Sequence, residues 1–369
     1  MKIEIYSFFA GVGILDLGFS AAGFSIDFVN EINDDYLKAY QYARKVFPNI
    51  MVPNYGYHND DIKQYHQDSF WNSIFPSGLD NDGSLIGFIG GPPCPDFSVA
   101  GCNEGRKGNN GILSEIYIDL IIKRQPDFFV FENVKGLYRT GKHRCFYDFL
   151  KRKLYRHGYS LFDSIENALM YGAPQDRERL FLVGVKRKRF GQRLTFSFGK
   201  HRVFDMKTIN AVPWPGEDPF YENGYMPMPK NIIKQLTIEY WFRKNRVAIH
   251  PNANDIFNVK NKNKFFSIPE GHIKGKSFKR LHRWRYSPTA AYGNNEVHLH
   301  PYFPRRLSVA EVLAIQSVPS YFCLPAGLSL TKKFKMVANG VPFLLAKGIA
   351  LDLRWWLQQQ GCWDGGKNE

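Results

Sequence analysis

The sequence predicts an α/β protein, with a mostly parallel sheet flanked by helices and joined to a smaller, irregular second domain. Three observations predict it. Short, nearly uninterrupted apolar runs recur through the first half with helix-length segments between them. From about Phe190 to Phe303 this alternation gives way to a stretch rich in Pro, Asn, Lys and aromatics, and a final amphipathic segment then resumes the first pattern. Apolar runs of this kind suit strands covered on both faces by helices, as in parallel sheets. A chain of 369 residues has room for two lobes of this kind.

Taken in order, Lys2–Phe9, Phe24–Asn30, Leu85–Ile89, Asp127–Phe131 and Leu180–Val185 read as buried strands. The stretch from 190 to 303 lacks a clear period and reads as the second domain. Between Lys230 and Glu296 it holds 14 Lys and Arg against four acids, so much of the positive charge sits there. Val341–Leu357 reads as one helix, with Leu344, Leu345, Ile349, Leu353, Trp356 and Leu357 on its apolar side, returning to cover the first domain.

Composition narrows the function. Lys plus Arg exceed Asp plus Glu by 49 to 34, a formal charge of +15, which favours a polyanionic partner and places nucleic acid first. The five cysteines are scattered and include no CxxC pair. Neither a disulfide framework nor a zinc ribbon fits, no metal site is expected, and a reducing cytosol does fit. No run reaches the roughly 18 to 20 uninterrupted apolar residues of a membrane span, so a cytoplasmic protein without a membrane partner is expected.

Ligands of open α/β sheets bind beyond the carboxyl ends of the strands, so the residues just after each run carry the information. Phe9-Ala10-Gly11-Val12-Gly13 follows the first strand and opens a helix, a geometry in which backbone amides approach a ligand. Glu31, 20 residues after Gly11, ends the second run, where an acid can accept bonds from ribose hydroxyls. After the Leu85 run comes Gly90-Gly91-Pro92-Pro93-Cys94-Pro95, which fixes a thiol in a rigid loop at the sheet edge. A thiol is only a few per cent ionised at neutral pH yet is a strong nucleophile. The other cysteines read as small buried hydrophobes.

Followed from residue 8 to about 350, the chain resembles the DNA cytosine-5 methyltransferase family, of the stand-alone prokaryotic kind that accompanies a restriction endonuclease. Phe8–Gly13 is similar to the family's first motif, and Asn30-Glu31 and Asp61-Ile62 stand where its ribose and adenine contacts fall. Gly91–Gly101 resembles the nucleophile motif, Phe131-Glu132-Asn133-Val134 the Glu-Asn-Val motif, and Pro174–Arg179 the Gln-x-Arg-x-Arg motif. Arg305–Glu311 resembles Arg-x-Leu-Thr-x-x-Glu, with Gln316 and Pro319 continuing it, and Asn339-Gly340-Val341-Pro342 resembles the closing Gly-Asn-Ser-Val-Pro.

The resemblance implies a Rossmann-like catalytic domain over 1–195 plus 330–369 and a target-recognition domain over 196–329. It implies that Cys94 attacks cytosine C6, that Glu132 holds or protonates N3, and that Arg177 and Arg179 orient the base and steady developing charge. S-adenosylmethionine is the implied cofactor, with Phe9, Gly11, Val12, Gly13, Glu31, Ile32, Asp61, Ile62, Pro93, Leu113 and Asn339 around it. Double-stranded DNA is the implied partner, with a base flipped into the pocket and contacts from Ser98, Lys260, Lys262, Arg283, Arg285 and Arg305. The chain is expected to be a monomer, with a cognate restriction endonuclease acting separately.

The resemblance is incomplete. Pro95 replaces the usual Gln, Asn110 a common Arg, Ile14 a frequent Gly, and Ala338 and Gly340 the Gly and Ser beside Asn339. None removes a reacting group. The tRNA-methylating branch of the same family and a silent DNA-binding homologue are the alternatives, and a nicotinamide dehydrogenase is a distant third.

Overall fold

A computed structural model describes residues 2–46, 52–76, 83–93, 109–259, 262–274, 278–289 and 297–363. Seven strands form the main sheet: β1 (Ile3–Phe8), β2 (Ser25–Asn30), β3 (Tyr57–His58), β4 (Leu85–Gly90), β5 (Phe128–Val134), β6 (Tyr159–Asn167) and β7 (Glu178–Lys186). Their order is β3-β2-β1-β4-β5-β7-β6, parallel throughout except for β7, which runs antiparallel to both β5 and β6. The five expected strands are present to within a few residues. Two others were not expected. β3 spans only two residues, and β6 is an edge strand whose middle is half-buried, so it lacks an apolar run.

Helices cover both faces: α1 (Ile14–Ala21), α2 (Asp34–Lys45), α3 (Asp68–Ile74), α4 (Asn109–Arg124), α5 (Gly136–Arg139), α6 (Gly141–Arg156) and α7 (Arg187–Phe190). One face packs an aromatic layer, with Tyr6, Phe8, Phe28, Phe88 and Phe131 against Trp71 and Phe75 of the α3 region and Tyr117 of α4. The other carries α1 and the long α13 (Phe343–Gln359), which starts directly after Pro342. A proline there fits, since the first amides of a helix have no intrahelical acceptor. Gly18 is the point of closest approach, because a Cβ added to it would stand 2.5 Å from Ala346 Cβ. The expected return of the final helix onto the first domain is thus observed. Leu330–Gln359 is long and apolar enough by composition to cross a bilayer, but 67% of its most apolar window is buried inside the protein.

Short elements follow α7: α8 (Met206–Ala211), α9 (Ile238–Lys244), α10 (Asn263–Phe266), β8 (Lys279–Arg280) and β9 (His298–Leu299) in the central stretch, then α11 (Val309–Ile315) and α12 (Leu330–Asn339) beyond it. One apolar cluster joins Ile238, Trp241 and Phe242 of α9 and Val309, Val312 and Leu313 of α11 to Val12, to Leu17 of α1 and to Ala39 of α2. Part of the central stretch is therefore anchored on the main core. α11 begins with a capping box, in which Ser308 Oγ accepts from Glu311 N and Glu311 accepts from Ser308 N. Arg305 forks onto the same carboxylate at 2.7 and 2.9 Å.

Candidate active site

The register of the sheet puts the site in one row. Phe8 pairs with Asn30 on one side and Gly90 on the other, and Gly90 pairs with Phe131. The next residue on each strand, Phe9, Glu31, Gly91 and Glu132, therefore stands beside the others at this end of the sheet, with Glu132 still paired to Phe181 of β7. β1 and β4 are neighbours from which the chain proceeds in opposite directions across the sheet, the switch point where open α/β sheets bind ligands.

The turn after β1 is left-handed at Phe9, Gly11 and Gly13, with φ of 53°, 59° and 81°. A Cβ on Gly13 would overlap the Tyr40 ring, so this position needs glycine for space as well as for φ. Beneath the turn, the buried Asp16 accepts from Ser7 Oγ and Tyr40 OH at 2.8 Å each, and burial raises its carboxyl pKa. Sequence reasoning missed Asp16. Its signal was a lone acid between Leu15 and Leu17.

Glu31 closes this side. Its Oε2 accepts from Gly11 N at 2.9 Å and its Oε1 from Asn33 N at 2.8 Å. Burial raises its pKa, and those two amides oppose the rise. Asn30 Nδ2 donates to Asp60 O at 2.8 Å, and Asn59 Nδ2 to the carbonyls of Glu31 and Ile32, so the 58–61 loop is clamped to the end of β2. Asp61 caps the next turn through Lys63 N, and Ile62 lies in the aromatic core. Ile32, 61% exposed, offers an apolar surface beside Glu31. Val12 is buried in the cluster beneath the turn, Leu113 is half-buried on α4, and Pro93 is exposed. A Cβ added at Gly11 would meet nothing within 4 Å, so open space borders the turn just where its amide meets Glu31. A left-handed glycine turn, an acid holding its amide and an exposed apolar side chain fit an adenosine-bearing ligand.

On the other side, Glu132 meets Arg179, whose Nε lies 3.0 Å from Oε1. Both are well sheltered. The two come from antiparallel neighbours, with Glu132 opposite Phe181 and Val134 opposite Arg179. Burial raises the Glu132 pKa, while Arg179 and then Arg177 oppose it. Gly91 lies against this carboxylate, for a Cβ on it would stand 2.6 Å from Glu132 Oε2. Cys94 and Ser98 follow in the sequence but lie outside the described residues, as does Lys260.

Arg177 is 2% exposed and donates through Nη2 to Ala338 O at 2.6 Å. It thereby ties the Pro174–Arg179 motif to the end of α12, where Asn339 is exposed. Gly340 follows, and a Cβ added to it would stand 2.6 Å from Ile14 Cδ1. The two departures at 14 and 340 thus face each other across the helix start. Gln175, fully buried, packs behind Arg177, its Oε1 3.4 Å from Nη1. It is a second supporting residue, which the sequence motif contains but does not single out.

The expected DNA contacts are placed differently from one another. Arg283 is buried and bound by Glu270 through Nε at 2.8 Å and Nη2 at 2.7 Å, and Arg305 is held by Glu311. Arg285 is half-buried and donates to Pro215 O, whereas Lys262 is exposed. Among the described residues no cluster of three or more His, Cys, Asp or Glu could hold a metal.

Comparison with known proteins places the chain in a family. The profile of the C-5 cytosine-specific DNA methylase family matches residues 3–355. The chain is 50% identical to Type II methyltransferase M.NmeDI of Neisseria meningitidis serogroup C, over 97% of this chain and 84% of that protein. It is 29% identical to Type II methyltransferase M.MthTI of Methanothermobacter thermautotrophicus, over 96% and 98%. Among solved structures, one described as a DNA modification methyltransferase encoded within an E. coli prophage shares the fold at a TM-score of 0.64 and 20% identity, covering 97% of this chain and all of that one. A Spodoptera frugiperda DNMT2 mutant does so at 0.53 and 16%, covering 94% and 98%. On the matched length and the relatives together, the chain belongs to the C-5 cytosine-specific DNA methylase family and is a DNA cytosine-5 methyltransferase.

Proposed function

We propose that the protein methylates C5 of a cytosine flipped out of a specific double-stranded DNA sequence, through a covalent bond between Cys94 and C6. The observation that carries this reading is the sheltered Glu132–Arg179 pair, 3.0 Å apart, with Gly91 of the nucleophile loop lying against its carboxylate. A carboxyl whose pKa is raised by burial is suited to donate a hydrogen bond to N3. The proton at N3 relieves the negative charge that the ring gains when the thiolate adds to C6, and C5 becomes an enamine carbon. Arg179 fixes the carboxyl, and Arg177 holds the motif onto α12.

Glu31, Ile32, the turn from Phe9 to Gly13, Asp61 and Asn339 would hold S-adenosylmethionine, which supplies an electrophilic methyl group. Once C5 carries the methyl and S-adenosylhomocysteine is left, loss of the C5 proton, return of the N3 proton to Glu132 and cleavage of the S–C6 bond restore the aromatic ring and free the Cys94 thiolate. The 196–329 stretch acts as the target-recognition domain, in the cytoplasm, with a separate nuclease as its restriction partner. Relatives named as Type II methyltransferases support this setting.

The test uses duplex DNA carrying 5-fluorocytosine, whose C5 cannot lose a proton. With S-adenosylmethionine the protein is expected to form a complex that survives denaturation, and Cys94→Ala is expected to form none. No trapped species with the intact protein, or methyl label entering only bulk tRNA, overturns the reading. Bisulfite sequencing of a plasmid expressing the chain then reads the sequence context.

A further inference from the structure

The end of the sheet opposite the catalytic row carries cations that the reaction does not use. α6 finishes through Lys151-Arg152-Lys153-Leu154-Tyr155-Arg156, and β7 runs out through Lys186-Arg187-Lys188-Arg189. Hydrogen bonds lock these segments together. Arg187 N donates to Gly158 O at 2.8 Å and its Nη2 to Tyr155 O at 2.7 Å, while its guanidinium lies 4.5 Å from the centre of the Tyr155 ring. Beside them lies a shallow groove of about 290 Å³, lined by Lys151, Arg152, Tyr155, Arg156 and Leu161.

Some of this charge is neutralised internally. Lys151 sits 3.1 Å from Asp163, and Lys153 pairs with Asp119. Arg152, Arg156 and Lys188 are exposed, and among the described residues no acidic side chain pairs with them. Favourable contact with the carboxyl end of α6 accounts for a cation or two in its last turn. It does not account for four consecutive cations on the neighbouring strand exit. The Tyr155 ring, 61% exposed, lies between the two groups. Lys186 N bonds Asp127 O, so this face stands about 17 Å from Glu132 at ~3.3 Å per residue.

We propose that this face is a second binding surface for duplex DNA, in which Arg152, Arg156 and Lys188 bind backbone phosphates of a segment other than the one in the cleft. Duplex DNA is the occupant that fits, because a polyanion already held by the cleft presents its remaining length at high local concentration. The surface reads no bases, since phosphate binding carries no sequence information. It keeps the protein on long DNA between turnovers. The inference rests on the reading that the cleft binds duplex DNA.

The experiment compares the protein with the triple variant Arg152→Glu/Arg156→Glu/Lys188→Glu, titrated at low salt with a short duplex of A·T pairs only. The protein is expected to bind two duplexes per chain and the variant one. The salt slope of binding to long DNA is expected to fall by roughly 0.9 for each phosphate that the variant no longer neutralises. One duplex bound by both proteins overturns the proposal, as does bulk tRNA displacing the duplex from this face alone. One duplex bound by the protein and none by the variant keeps this face and instead removes duplex DNA from the cleft. Alanine at the same three positions gives the same readout should charge reversal disturb α6.

Discussion

Arg179 approaches Glu132 from a strand running the opposite way, and their 3.0 Å contact sets the chemistry of the carboxyl. Burial favours the neutral acid and the guanidinium favours the anion. If catalysis uses the protonated form, activity is present below the raised pKa and lost as pH rises through it. Arg179→Met removes the main opposing charge. The alkaline limb of kcat/KM is then expected to move to higher pH while kcat falls, on the order of 100-fold. A pH–rate profile of both proteins checks this, and an unmoved limb would detach Glu132 from it.

Glu132→Gln keeps a hydrogen-bond donor that cannot transfer a proton, whereas Glu132→Ala keeps neither. A loss of kcat of about 10²- to 10⁴-fold is expected for alanine, with a smaller loss for glutamine. Trapping on 5-fluorocytosine DNA separates the steps. Both variants should bind the duplex normally and form the adduct slowly.

Glu31 joins Gly11 N to Asn33 N, so its loss both frees the glycine turn and removes the acceptor proposed for the ribose. Glu31→Ala is expected to weaken S-adenosylhomocysteine binding by about 1.5–3 kcal/mol, the range for a hydrogen bond to a charged group. Calorimetric titration measures it, and unchanged affinity would move the nucleoside elsewhere.

Ile14 and Gly340 should behave as a unit. Gly340→Ser introduces an atom where Ile14 Cδ1 stands 2.6 Å away, and overpacking of this kind costs about 1–3 kcal/mol. Ile14→Ala alone leaves a cavity. The double variant is expected to be more stable than the sum of the two single changes predicts, by about 0.5–3 kcal/mol. Urea unfolding of the four proteins gives the coupling, and simple additivity would refute it.

Arg283 and Lys262 should separate stability from DNA binding. Removing Arg283 leaves Glu270 buried without its partner, so Arg283→Met is expected to cost about 3–5 kcal/mol of stability. Lys262→Ala is expected to leave the melting temperature unchanged and to lower the salt slope of DNA binding by roughly 0.9. The reverse pattern would exchange their roles.

The elements that could be read from sequence are those whose physics is local. β1, β4 and β5 are buried along most of their length and so are written as continuous apolar runs, with the residues proposed for the site standing where each run stops. β6 lies at an edge and sets Ser160, Asp163, Ser164 and Glu166 among its apolar residues, so it carries no continuous apolar run. Charge counting over 230–296 could not tell Lys262, which faces water, from Arg283, which is matched by Glu270 thirteen residues earlier. Arg305 was similarly claimed by Glu311, in a motif whose visible structural work is to cap α11. Ile14 and Gly340 read as two unrelated departures until the fold brought them together.

The packing of α13 on α1 also governs when the protein can first act. The helix that opens with the glycine turn receives Gly340 and Ala346 as neighbours only after some 330 further residues have been made, which at about 5–20 residues per second takes on the order of 15–65 s. Until then the inner face of α1 is uncovered and the turn lacks its backing. A nascent chain still on the ribosome therefore carries the family's motifs without the finished turn proposed to hold the nucleoside, and a chain cut short before α13 should be inert toward the DNA of its own cell.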